Sequence, residues 1–224
     1  MSNTRALALI DEAALRIADP AYTRISVPKW TSFFNKRARQ LATRLKLKKR
    51  RALFSTEADN EIHTYPQNLV VMTALEFTTS PTDRKTFRPV KELEEDEFKA
   101  ATANNYPTGD PTHYFADQGF LFLVPMPAAV YTNGLRMSYW GLPDAVVDPA
   151  VDYLPFAEHM RDVLLEGMIG DGLQVMEKFD AAAMQEQSYE RLIGQSELRL
   201  EDRSEDRRQS FRPSTRVRGY SGQV

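Results

Sequence analysis

The chain has 224 residues and no cysteine, so neither a disulfide nor thiolate chemistry is open to it. Histidine is scarce. His63, His113 and His159 fall in three separate stretches, none with a second histidine at a metal-ligand spacing. No metal site and no cofactor is expected. Phosphate cradles of the G-x-x-x-x-G-K-[S/T] or G-x-G-x-x-G type are missing, and so is a G-x-S-x-G nucleophile elbow. With no catalytic constellation visible, no enzyme activity is expected. Long apolar runs are also lacking. The longest, residues 119–130, is cut by Pro125 and Pro127 and falls well short of the ~20 residues that span a bilayer. Residues 1–11 hold an early Arg5 and no long apolar core, so no signal peptide and no membrane partner are expected. Finally, no excess of one charge exists. The 29 bases and 31 acids leave −2, which argues against a general nucleic-acid binder but not against a local basic face.

What is present is ordinary globular composition, 42% hydrophobic and 27% charged, in a chain long enough to bury a real core. Leu7, Ile10, Ala14 and Ile17 predict a first helix, with Thr4 as N-cap and Asp19-Pro20 as its stop. A second helix starts at Ser26, with Pro28 in its first turn. Trp30, Phe33, Phe34, Ala38, Leu41 and Leu45 form its apolar arc. From residue 51 to 139 the period shortens. Strands are predicted over 52–55, 61–64, 70–78, 87–90, 113–115, 120–124 and 135–140. Hairpins are predicted at Ala58-Asp59-Asn60, Asp117-Gln118-Gly119 and, most strongly, Asn133-Gly134. The acidic stretch 92–97 reads as a short exposed helix. After Pro155, Phe156, Met160, Val163, Leu164 and Ile169 predict a helix that Gly170-Asp171-Gly172 breaks or bends. Leu173, Met176, Phe179, Ala183, Leu192 and Ile193 fit a further helix. The expected class is α+β. Residues 1–50 and 144–200 supply the N- and C-terminal helices of a bundle. Residues 51–143 form an inserted small antiparallel β lobe, and residues 201–224 an extended C-terminal arm.

Charge points to partners. Lys36, Arg37, Arg39, Arg44, Lys46, Lys48, Lys49, Arg50 and Arg51 occur with no acid among them. On a helix, Lys36, Arg37, Arg44 and Lys48 lie opposite or beside the apolar stripe. Three readings compete: a solvated face, contact with acids of a partner subunit, or contact with nucleic-acid phosphates. No aromatic residue is interleaved in this run, which disfavours base stacking. The tail is the second signal. Phe211, Val217 and Tyr220 stand among Arg207, Arg208, Arg212, Arg216 and Arg218, with no acid from 207 to 224. Such a segment cannot fold alone but suits ordering on a partner.

The layout resembles the head–tail adaptor (connector) proteins of tailed bacteriophages. The resemblance rests on an ordered series of motifs. A helix carries Trp30 to Asn35, and a strand pair ends in Tyr65-Pro66 before the hydrophobic strand 69–77. Then come Pro111 to Tyr114, Pro125-Met126-Pro127, a Tyr-bearing strand with a Gly/Pro exit over 137–143, and a Leu154-Pro155 helix start. It covers residues 5–200. It implies a structural virion protein in the neck between capsid and tail. Neighbouring copies, usually twelve, would form a ring under the portal protein and leave a channel through which genomic DNA passes without sequence recognition. It also implies that the helical part and the arm hold portal and neighbours, while the β lobe faces the tail or a stopper protein. Two alternatives stay open. One is another neck or tail-completion protein, a stopper or terminator. The other is a DNA-binding protein using the basic helix.

Overall fold

A computed structural model of the protein describes residues 4–80, 86–103 and 106–210, with side chains through residue 200. In chain order the elements are α1 (Ala6–Arg16), α2 (Val27–Leu45), β1 (Lys49–Phe54), β2 (Ile62–Thr64), β3 (Leu69–Phe77) and β4 (Arg88–Glu92). There follow α3 (Glu95–Thr102), β5 (Thr108–Gly109), β6 (His113–Asp117), β7 (Phe120–Val124), β8 (Met126–Pro127) and β9 (Leu135–Gly141). A 3-10 turn (Glu158–Met160), α4 (Arg161–Val175) and α5 (Phe179–Ser210) complete the chain. The architecture is α+β, with the strands inserted between helices that share one core.

That helical core forms where the apolar stripes meet. Ala6, Leu9, Ile10, Ala13 and Ala14 of α1 are buried, with Arg5 rather than Thr4 at the cap. The chain then turns around Asp19. Its buried carboxylate accepts hydrogen bonds from the Thr23 hydroxyl and from the backbone N–H groups of Thr23, Arg24 and Ile25. Those bonds, the Thr23 hydroxyl foremost, hold Asp19 below the usual carboxylate range against the opposing effect of burial. Helix α2 begins after Ser26 and buries Trp30, Phe33, Phe34, Ala38, Leu41 and Leu45 as its spacing predicts. Lys46 ends it in the left-handed region, φ 49°.

The C-terminal helices correct three expectations. Gly170-Asp171-Gly172 does not break the helix: α4 runs unbroken to Val175, and the turn comes at Glu177, φ 60°. Gly172 is there for space, since a Cβ would lie 2.6 Å from the Trp30 ring. The buried face of α5 is Ala182, Tyr189, Ile193 and Ser196, whereas Phe179 and Ala183 are exposed. Third, α5 continues to Ser210, so residues 201–210 are helical rather than extended. Glu, Arg and Gln in that stretch are good helix formers even without an apolar stripe.

The second core lies inside a curled seven-stranded sheet of order β1-β9-β3-β4-β6-β7-β2. The sheet is mixed rather than antiparallel. The connection that carries α3 crosses over and makes β4 and β6 parallel, as such a crossover allows. The β6–β7 hairpin forms as predicted, with Gln118 and Gly119 at φ 46° and 89°. The other two hairpins do not form. β1 pairs with β9 and β2 with β7, at opposite ends of the sheet, and Asp59 instead donates its N–H to the Pro127 carbonyl. At Asn133-Gly134 a tight turn closes on Tyr131, but the preceding β8 pairs with β5. Long-range pairing decides in both places.

Candidate assembly surfaces

The basic run divides into two sets. Five of its nine members make ion pairs within the chain, and Arg37 is the deepest. Its guanidinium gives two hydrogen bonds to Asp171 (2.8 and 2.9 Å) and two to Glu186 (2.9 and 2.8 Å). It also stands 4.7 Å from the Tyr189 ring centroid. The Arg37 and Asp171 side chains are 4% and 2% exposed. Burial alone would weaken the Arg37 proton; the carboxylates of Glu186 and Asp171 outweigh it and raise its pKa. Lys36 joins Asp171 at 2.7 Å, and Arg44 bridges Glu190 (2.5 Å) and Glu197 (3.0 Å) on α5. Lys48 and Arg50 converge on Asp144, at 3.3 and 2.9 Å. Arg37 is therefore not on an outer face, contrary to the helical-wheel expectation: it is a buried counter-ion. The second set, Arg39, Lys46, Lys49 and Arg51, makes no side-chain ion pair or hydrogen bond among the described residues.

The signal for this division was in the composition of the other end. Residues 144–200 hold twelve acids and four bases, and residues 1–50 hold twelve bases and three acids. Two oppositely charged segments that share a core neutralise each other. Asp171, Glu186 and Tyr189 are the residues that the sequence reading missed.

Lys49 and Arg51 lie on the sheet. β1 is an edge strand that turns Ala52 and Phe54 to the lobe core and Lys49, Arg51 and Leu53 outward. Register sets three outward rows across β1, β9 and β3. They are Lys49–Trp140–Val71, Arg51–Ser138–Ala74 and Leu53–Arg136–Glu76. Leu53 and Val71 are 53% and 41% exposed, and Trp140 is half-buried. At the other end of the same sheet α3 covers β6 and β7. Phe98 stacks on Phe115, centroids 4.7 Å apart, beside Phe122. This leaves Glu92, Glu94, Glu95, Asp96 and Glu97 exposed. Only Glu95 among them makes an ion pair among the described residues, with Lys99.

A third surface is apolar. The loop 144–155 displays Val147, Val151 and Tyr153, 86%, 63% and 53% exposed. It is firmly held. Asn35 gives and takes a hydrogen bond with the Val146 backbone (2.9 and 2.8 Å), and Asp152 accepts from the N–H groups of Val147 and Asp148. Of the tail residues, Arg207 and Arg208 belong to α5, without described side chains. Phe211, Arg212, Arg216, Val217, Arg218 and Tyr220 lie outside the described residues. The histidines are apart, in β2, β6 and the 3-10 turn. Among the described residues no three His, Asp or Glu side chains are grouped to hold a metal ion, and no helix is long and apolar enough to cross a membrane.

Comparison with family models matches residues 4–218 to the SU10 adaptor protein family. No curated protein matches the chain significantly.

Proposed function

Since this chain belongs to the SU10 adaptor protein family of bacteriophage structural proteins, we propose that it forms a ring, usually of twelve copies, beneath the portal protein. As a head–tail adaptor it is a component of the virion. In this reading it sits at the neck, meets a tail or stopper protein on its far side, and leaves a channel for genomic DNA. The helical part and the tail hold portal and neighbours. The residues assigned to that contact are Arg207, Arg208, Phe211, Arg212, Arg216, Val217, Arg218 and Tyr220.

One observation carries the reading: the family match extends through both helical ends, the β lobe and the Arg-rich tail as far as residue 218. The physical logic is assembly. Each copy exposes rigid apolar surface such as Val147 and Val151, which ring closure would bury. Ordering a tail on the portal costs conformational entropy, and arginine and aromatic contacts offset it. Electron microscopy of the purified chain, with and without isolated portal rings, tests this. Rings seated on the portal are expected. A chain truncated after Arg203 should fail to dock, and normal docking by it would remove the tail's role. No ring under either condition would remove the ring itself.

A further inference from the structure

The outer face of β1, β9 and β3 is covered only in part: Ser138 is buried and Phe87 lies against the Arg136 guanidinium that pairs with Glu76, while the ends nearest Lys49, Arg51 and Leu53 stay open. It carries two cations that make no ion pair or side-chain hydrogen bond among the described residues, Lys49 and Arg51, the latter only within longer-range attraction of Glu76, around three partly exposed apolar side chains, Leu53, Val71 and Trp140. That composition is the anatomy of a protein interface: an apolar centre with an aromatic anchor and an arginine at its edge. We propose that this face docks a second copy of the same chain through the acidic α3 of that copy, so that the β lobes join head to tail. The inference rests on the ring reading above and names the contact that would build it.

Charge complementarity selects the occupant. The opposite end of the same sheet bears five exposed acids within residues 92–97, and Lys91 and Lys99 are the only bases from 89 to 103. Asp96 makes no ion pair among the described residues. One patch is positive and the other negative, and they occupy different ends of one sheet. Two unlike, complementary patches on one molecule make a heterologous contact, which closes into a ring when the rotation allows. Docking would bury Trp140, Leu53 and Val71 and give Arg51 a direct carboxylate ion pair. Nucleic acid suits the face less well. The segment 51–143 holds twelve acids against seven bases, and α3 would repel a phosphate backbone passing along the lobe.

The test uses the full chain on isolated portal rings, with ring occupancy counted by electron microscopy. Arg51→Glu and Asp96→Lys should each lower occupancy about tenfold at limiting chain concentration, because each sets like charges against each other across the contact. The double variant Arg51→Glu/Asp96→Lys should regain most of it, since the pair is restored with its sign reversed. Because the natural chain has no cysteine, Arg51→Cys/Asp96→Cys adds a reading that does not depend on affinity. Mild oxidation of assembled rings should give a ladder of covalent dimers, trimers and larger species, and each single variant should give none. Rings that form without a ladder, and a double variant no better than the singles, overturn the contact while leaving the ring intact. Reversals that spare the rings but abolish retention of duplex DNA also overturn it and make the face a DNA surface. Failure of the unaltered chain to form any ring overturns the ring reading together with the contact.

Discussion

Arg37 shows how one buried charge ties distant parts of the chain together. It reaches Asp171 and Glu186, 134 and 149 residues away in sequence. Two carboxylates around a guanidinium that is 4% exposed form a complete arrangement: every acceptor faces a donor, and the Tyr189 ring closes one side. Attraction in such a site is largely cancelled by the loss of hydration, so the triad adds little net stability. Its removal by halves is another matter. Arg37→Met leaves Asp171 buried, with Lys36 alone to oppose it. The expected cost is about 3–5 kcal/mol in urea unfolding. Adding Asp171→Leu should recover a large part of that, because no lone buried charge remains. An Arg37→Met chain within about 1 kcal/mol of the original would mean that the pair is hydrated in solution.

At the scale of elements, the glycines of the C-terminal helices separate packing from propensity. Gly172 and Gly194 both lie within helices, and both forgo the roughly 1 kcal/mol that alanine would add to a helix interior. Around Gly172 a Cβ meets the Trp30 ring at 2.6 Å and Ile17 at 3.2 Å, both buried. Around Gly194 nothing lies within 4 Å. Gly172→Ala should therefore destabilise the fold by about 1–3 kcal/mol through overpacking. Gly194→Ala should stabilise it by about 0.5–1 kcal/mol. Thermal unfolding checks both, and equal shifts would contradict the packing. The same contrast explains what the sequence could reveal. Helix α2 was legible because its stripe has a clean period, and the β6–β7 hairpin because its turn is local. The Gly170-Asp171-Gly172 triplet misled because composition registers the missing side chains and not the tryptophan that fills their place. The partners of β1 and β2 were hidden for a related reason. A strand's sequence states which face is apolar, but not which distant strand lies beside it. The basic run was legible as charge, yet its pairing with Asp171 and Glu186 depends on contacts over more than a hundred residues.

At the scale of the whole molecule, opposite charges lie in different stretches of the chain and the fold brings them together. Twelve bases in residues 1–50 face a C-terminal segment with twelve acids, and the β lobe is acidic as well. A run of nine cations that looks fit to grip DNA is thereby reduced to four, Arg39, Lys46, Lys49 and Arg51. This matters for a protein proposed to surround a moving genome, because a tight grip would oppose passage. The number of free cations sets a measurable limit. Counterion release gives a slope of log affinity against log salt of about −0.9 per phosphate neutralised. The run can then contribute at most about −4, where nine free cations would give about −8. Fluorescence anisotropy with a short duplex measures the slope for the full chain and for the Arg39→Gln/Lys46→Gln/Lys49→Gln/Arg51→Gln variant. The tail arginines are present in both, so their share cancels in the difference. That difference should not exceed about 4, and a further Arg44→Gln should leave the slope unchanged, because Arg44 is already paired with Glu190 and Glu197. A drop in DNA affinity on Arg44→Gln would show that the duplex draws Arg44 away from α5. The internal pairing would then be a resting state of the basic run, released when DNA arrives.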